Sequence, residues 1–505
     1  LGNFGIIALL PFIISICFLL WKQDVLLPLL GGLFVGAIIV SRFNPLVGFL
    51  SIAGNILTAT LTDPSGIYLL IIIAESIVFF SLLERCGFFE SLKKTFAGWK
   101  KKEGKIQYLI MAFSSALFVE RNLSALIVGL FSRPFVNSKH ITPCKQAYLI
   151  NTVGGSLWTL IPVSAFLPVG VAAIGAAFSS QGIGYSPLTA FYRSLGFQYY
   201  NIFSVFIAVT SVVLNKDILV MKRAAQTTNG PQTVSFGLVQ SSRKRKPNNL
   251  SLYAGVCAVV IFLAVSVVLI ALGRSLNHEW DFSGYQRAFI VALFCSTVFI
   301  MLYILLSKTV PYSSFREWKD QKGSLFQTVF YLVLSLCMTV LAKKLGIYSI
   351  ISPLKTIGLY PGVLPMLIFV STAVISFLTG SGLLTAVLVT PLAIQLTSLY
   401  LPHPLIIDDI MFASIGAVFS GATFGDINSP LSPLFIISTA TTEAPLFDHF
   451  TSQTSYSLIA FFVTIVFGYL LFMAGLKPYF SISTGMLAIF SGFLLVNRQG
   501  TRLFS

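Results

Sequence analysis

The densest group of residues able to do chemistry is the run Gly425-Asp426-Ile427-Asn428-Ser429-Pro430-Leu431-Ser432, set between two apolar stretches. A carboxylate at the centre of a bilayer costs about 2.5–3.5 kcal/mol even on a lenient scale, so a cation, a proton or a partner must offset it. Asp426 with Asn428, Ser429 and Ser432 supplies carboxylate, amide and hydroxyl oxygens, a hard-oxygen set suited to sodium. The same carboxylate can take a proton when the cation leaves, which is the simplest exchange device. The alternative for this segment is a polar loop at the membrane surface.

Other polar residues interrupt apolar sequence in the same way. Gly380-Ser381-Gly382 breaks a helix-like run, with Thr379 and Thr385 offering hydroxyls beside it. Broken helices free backbone groups at membrane depth, and their N-termini attract anions while their C-termini attract cations. Small-residue helix packing is the competing explanation. Glu120-Arg121-Asn122 is a charged break in the first half, open to reading as an ion site, an internal ion pair or an interfacial turn. Asn151 and Thr152 open the polar stretch N-T-V-G-G-S on an otherwise apolar helix, and Glu75 stands in the middle of the run 66–83 as a candidate coupling carboxylate. Asp408-Asp409, beside Pro402 and Pro404, reads as a helix cap. Asp448 and His449 read as loop residues.

The elements that must position these groups follow from composition. Of 505 residues, 56% are hydrophobic and 10% charged, against about 25% charged in a soluble domain. A water-facing shell cannot be built from that mixture, whereas a lipid-facing one can. The apolar runs are continuous rather than alternating, which selects helices over a barrel. The chain is expected to be an all-α polytopic membrane protein with about 11–14 transmembrane helices. The runs 122–136, 146–160 and 430–441 are short for a crossing and read as broken or re-entrant pieces. The stretch from Phe4 to Trp21 lacks a basic leader and reads as the first span.

The formal net charge of +16 comes from basic residues lying between apolar runs, which is topology rather than nucleic-acid binding. Three polar loops are expected on the cytoplasmic side: Glu84 to Lys105, Lys216 to Asn249, and the segment holding Lys308, Arg316, Lys319 and Lys322. The second divides the chain into an N-terminal half (1–215), a basic linker (216–250) and a C-terminal half (251–505). L-S-A-L-I-V at 123–128 matches L-T-A-V-L-V at 384–389. Each is followed by a small-residue cluster and a Pro-x-Ser: Pro162 and Ser164, then Pro430 and Ser432. The pairing suggests two inverted repeats with broken helices, the sequence pointer to a transporter's midplane site. The six cysteines and four histidines are scattered without metal-ligand spacing, and no nucleophile elbow occurs. No enzyme activity, metal or cofactor is expected beyond transported sodium or protons. The expected partners are the lipid bilayer and a small ion or organic solute, with a homodimer left open.

At this point a family resemblance becomes readable. G-D-I-N-S-P-L-S followed by D-H-F-T-S-Q-T-S-Y resembles the C-terminal signature of the NhaC-type sodium/proton antiporters, with Asp426, Ser429, Pro430, Ser432, Asp448, His449, Gln453 and Tyr456 on matching positions. Gly380, Thr385 and Pro391 match a second run, and Gly129, Arg133, Pro134, Ala147 and Tyr148 match the first half. The resemblance implies exchange of a monovalent cation for protons by alternating access, in a multi-pass protein of the cell (inner) membrane. Several family acids are replaced: Arg121, Asn137, Asn151 and Pro433 stand where that pattern carries Asp. Fewer acids weaken a sodium site, and Arg121 adds a group that binds carboxylates bidentately. The alternative is therefore a sodium- or proton-coupled carrier of an amino acid or carboxylate.

Overall fold

The structure is a computed structural model that describes residues 5–22, 26–62, 64–88, 91, 105–118, 121–136, 141–161, 164, 166–217, 221, 249–275, 282–307, 322–346, 360–399 and 408–500. Every regular element among the described residues is helical. That is what hydrocarbon demands of a chain that is not a closed barrel, because only a helix satisfies its backbone groups within its own segment.

In chain order the helices are α1 (Leu10–Lys22), α2 (Leu26–Val40), α3 (Pro45–Thr62), α4 (Pro64–Arg85), α5 (Lys105–Ala116), α6 (Arg121–Val136), α7 (Pro143–Leu160), α8 (Phe166–Gln181) and α9 (Pro187–Ser194). They continue with α10 (Tyr199–Val213), α11 (Asn249–Ser275), α12 (Phe282–Ser307), α13 (Lys322–Leu345), α14 (Leu364–Thr379), α15 (Gly382–Ser398), α16 (Asp409–Asn428), α17 (Pro433–Thr442), α18 (Leu446–Met473) and α19 (Pro478–Gly500). Among the described residues 7 helices are long and apolar enough to cross a membrane, or 8 if the segment around the 47° bend between α9 and α10 counts as one. Shorter apolar helices of 10–17 residues, including parts of α6, α15 and α17, lie beside them. The chain is an all-α polytopic membrane protein.

Two expectations are corrected. Asp448 and His449 are not in a loop. Pro445 precedes α18, which starts at Leu446 and runs on for 28 residues. His449 is fully buried there, its ring stacked 4.2 Å from Phe435 and its Nδ1 2.8 Å from Thr439 Oγ1. The polar run D-H-F-T-S-Q-T-S hid that helix, because its side chains bond back to their own carbonyls (Ser452 Oγ to Asp448 O, 2.6 Å; Thr451 Oγ1 to Phe447 O, 2.9 Å). The second correction is α3: the apolar runs in the sequence place spans at 25–41 and 66–83 with none between them, yet a helix fills that interval. Asn44 caps it by accepting from Leu46 and Val47 N–H, Pro45 supplies a pre-set first turn, and Thr60 and Thr62 return their hydroxyls to the carbonyls of Ile56 and Thr58.

The protein is organised around α16. Its residues from Met411 to Asn428 are all buried, so it contacts protein on every side. Small residues make this possible. A Cβ on Gly421 would meet Phe369 O at 2.6 Å, and one on Gly425 would meet Ser376 C at 2.3 Å. α14 therefore packs on α16 at backbone contact, locked by Ser376 Oγ donating to Ala422 O at 2.7 Å. Asp408 caps the start of α16, accepting from Ile410 N–H (2.9 Å) and Met411 N–H (3.3 Å), as its sequence position suggested.

Candidate functional site

Two helix breaks build the site. α14 stops at Thr379 because Gly380 takes the left-handed conformation (φ +66°), its N–H returning to Ser376 O at 2.9 Å. Ser381 is extended, and α15 restarts at Gly382. α16 ends where Ser429 leaves the helical region. Ser429 Oγ then accepts from Leu431 N–H at 3.3 Å, and Pro433 opens α17. The breaks press together: a Cβ on Gly380 would lie 2.7 Å from Leu431 C, and one on Gly382 would lie 2.8 Å from Asp426 Cβ. Only glycine permits either approach.

Asp426 sits at this crossing, 1% exposed. Its Oδ1 accepts from Gly382 N–H at 3.1 Å and from Ser432 Oγ at 3.2 Å. The first donor belongs to the N-terminus of α15, where the helix dipole favours negative charge. Oδ2 lies 2.6 Å from Arg121 Nη1, and the Arg121 guanidinium rests over the Trp158 ring, 4.1 Å from its centroid. Arg121 is the first residue of α6, so the ion pair ties α6 to α16. At an effective dielectric constant of about 20, unit charges ~4 Å apart attract by ~4 kcal/mol. The buried carboxylate is thus held by a backbone N–H, a hydroxyl and a guanidinium, and the centre carries no net charge.

A second tier of neutral polar groups flanks it. Asn151 Nδ2 donates to Ile427 O at 2.7 Å, bridging α7 to the residue after Asp426. Asn428 Nδ2 donates to Phe424 O (2.6 Å) and to Tyr200 OH (3.3 Å). Thr152 Oγ1 accepts from Gln453 Nε2 at 3.1 Å. Asn151 Oδ1 and Asn428 Oδ1 are buried with no hydrogen-bond partner among the described residues, as is Arg121 Nε. Buried acceptors left open in this way are uncommon and mark places where a cation or a hydrogen-bond donor can be taken up.

The residues singled out in the sequence fall into three groups. Asp426, Ser432 and Arg121 meet directly, and Gly380 and Ser381 form the break that brings Gly382 to the carboxylate. Asn151, Thr152, Asn428 and Ser429 stand around it, while Thr385 pairs with Thr379 (3.4 Å) and returns its hydroxyl to Ser381 O. Glu75 is apart from the pair, half-buried on α4, with Oε2 unpartnered. Glu120 and Asn137 lie outside the described residues. Trp158, Tyr200 and the Gly382 N–H were not anticipated. A π-face, a phenol and a backbone donor carry no local sequence signal that separates them from packing residues. Among the described residues no cluster of His, Cys, Asp and Glu could hold a metal ion.

An uncharacterized protein of Haemophilus influenzae is 22% identical over 465 residues, covering 89% of this chain and 88% of that protein. The family model described as Na+/H+ antiporter family matches residues 158–473, more than half of the chain, and takes in Trp158, the break at Gly380 and the whole Asp426 segment. Arg121 and Asn151 lie before the matched segment. With both helix breaks and the buried carboxylate between them inside the match, the chain belongs to the Na+/H+ antiporter family.

Proposed function

We propose that this protein is a secondary active transporter of the NhaC type that exchanges a monovalent cation for protons by alternating access, with Asp426 as the coupling carboxylate. The observation that carries the reading is the clasp on Asp426: one buried carboxylate at the crossing of two broken helices, held by groups that a small cation or a proton can replace. Arg121 acts as a tethered counter-cation. When the site is empty, the guanidinium neutralises Asp426 and spares it a naked charge in low dielectric. A proton or a cation must displace the guanidinium, so the two ligands compete with Arg121 as well as with each other. Ser432, Asn151 and Asn428 supply neutral oxygens for the cation. The matched sequence runs at 123–128 and 384–389 support reading the halves 1–215 and 251–505 as inverted repeats, and the basic linker supports placement in the cell (inner) membrane with that linker cytoplasmic. Binding and conformational change suffice for this activity, and no covalent chemistry is required.

A second reading is favoured by one observation. Arg121 Nε has no hydrogen-bond partner among the described residues while the guanidinium lies over the Trp158 ring, 4.1 Å from its centroid, which leaves a donor available for a carboxylate. An amino acid or other organic carboxylate could dock there once Asp426 is protonated. Purified protein in vesicles, assayed for sodium, lithium, potassium and amino-acid flux with and without a pH gradient, separates the two. Asp426→Asn should abolish pH-gradient-driven cation exchange, and unchanged flux in that variant would exclude the reading. Loss of organic-anion flux in Arg121→Ala with cation exchange retained would favour the second.

A further inference from the structure

One face of α7 is polar along its whole length. Lys145, Tyr148, Thr152, Ser156 and Thr159 are spaced 3, 4, 4 and 3 apart, so they stack on a single side of the helix. All five are buried. Each meets a polar or aromatic group on a neighbouring element. Thr159 Oγ1 accepts from Asn201 Nδ2 at 2.7 Å and lies 3.4 Å from Thr423 Oγ1, which is one turn before Asp426 on α16. Ser156 Oγ is 2.9 Å from Ser204 Oγ, and Thr152 Oγ1 accepts from Gln453 Nε2. The Tyr148 and Tyr456 rings lie 4.7 Å apart. A polar seam between α7, α10 and α18 therefore leads from the Asp426 centre towards the end of the bundle where the linker begins. Asn201 Oδ1, on its far wall, is fully buried and has no partner among the described residues.

The linker end of the seam is closed by a second ion pair. Lys145 Nζ is 2.5 Å from Asp217 Oδ1 and donates to Ser211 Oγ at 2.8 Å. Its ammonium is roofed by the Tyr148 and Tyr456 rings, at 5.4 and 5.3 Å from their centroids. Tyr456 OH donates to the same Asp217 oxygen at 3.1 Å. The Lys145 side chain is 2% exposed, whereas that of Asp217 is 30% exposed, so Asp217 is the solvent-facing member. A built turn presents it: Asn215 is left-handed (φ +49°) and Lys216 N–H returns to Ser211 O at 3.0 Å. From Lys145 to Trp158, which lies beneath Arg121, the helix rises by ~20 Å.

We propose that this seam is the path by which the transported ion or proton moves between Asp426 and the linker side, and that Lys145, Asp217 and Tyr456 are its gate. The proposal rests on Asp426 as the ion site but not on which ion is carried. Breaking the Lys145–Asp217 pair frees the part-exposed carboxylate to swing outward and uncovers Thr152 and Gln453 beneath it. In full-length protein with all six cysteines replaced by serine, Thr152→Cys reports access below the gate and Ala147→Cys, on the opposite face of α7, reports general loosening. The probe is a positively charged, membrane-impermeant methanethiosulfonate applied to vesicles of known orientation. Asp217→Ala should raise labelling of Thr152→Cys from the linker side about tenfold or more, Tyr456→Phe should raise it less, and Ala147→Cys should not change. An unchanged rate at Thr152→Cys in both gate variants, or an equal rise at Ala147→Cys, would overturn the gate. Labelling reads access alone, so failed cation exchange in the flux assay leaves this result separate.

Discussion

Arg121 Nη1 and Asp426 Oδ2 lie 2.6 Å apart, joining the first residue of α6 to the last turn of α16. The pair holds two consequences together. It stabilises an otherwise prohibitive buried carboxylate, and under the proposed cation-exchange reading it places a permanent competitor at the ion site. Removing either member leaves the other uncompensated, a cost of about 3–5 kcal/mol for a buried pair. Arg121→Ala and Asp426→Ala should each lower the unfolding midpoint of the detergent-solubilised protein substantially. The double variant should lose much less than the sum of the two. A double-mutant cycle with a coupling below about 0.5 kcal/mol would mean that the ion pair contributes nothing specific.

Among the described residues, Ser432 donates the one side-chain hydroxyl on Asp426. Ser432→Ala deletes a hydrogen bond to a charged acceptor, worth about 1.5–3 kcal/mol. Under the cation-exchange reading, the half-saturating cation concentration should rise by roughly tenfold or more. Ser432→Thr, which keeps the hydroxyl, should stay closer to the parent. Flux measured against cation concentration in vesicles checks both.

Backbone contact between α14 and α16 makes Gly425 intolerant of any side chain. The Cβ of Gly425→Ala would fall 2.2 Å from Phe377 N and 2.3 Å from Ser376 C, and those backbone atoms cannot move without parting the helices. Overpacking of this kind costs about 1–3 kcal/mol or more. Gly425→Ala should lower both thermal stability and transport. Gly54→Ala, where the added Cβ meets nothing within 4 Å, should leave both at the parent level. Thermal midpoints by intrinsic fluorescence and flux rates on the same preparations give the comparison.

Asp408 caps α16, which is buried from Met411 to Asn428. Asp408→Ala removes the acceptor for two α16 N–H groups and should cost about 0.5–2 kcal/mol. Asp408→Asn keeps a side-chain acceptor and should recover most of the loss. Because the cap lies far along α16 from Asp426, the ratio of cation affinity to proton affinity should not change. A shift in that ratio would show that the cap also tunes the site.

By itself the sequence determined the solvent, the helical class and the places where helices break. Those properties are written locally: the charge fraction decides the environment, run length decides span or fragment, and Gly380-Ser381-Gly382 and Ser429-Pro430 each disfavour helix continuation. Asp426 was legible because a lone acid in apolar sequence is costly anywhere. Its partners were not. That Oδ2 goes to Arg121, that Gly382 turns its N–H to Oδ1, and that Lys145 finds Asp217 beneath two tyrosine rings are decided by which helices lie side by side. The same holds for His449, whose polar neighbours hid a helix by bonding to its own carbonyls. Local propensity and hydropathy act over a few residues, whereas the choice of partner for a buried charge is made by packing between segments far apart in the chain. Only the tertiary structure could decide it.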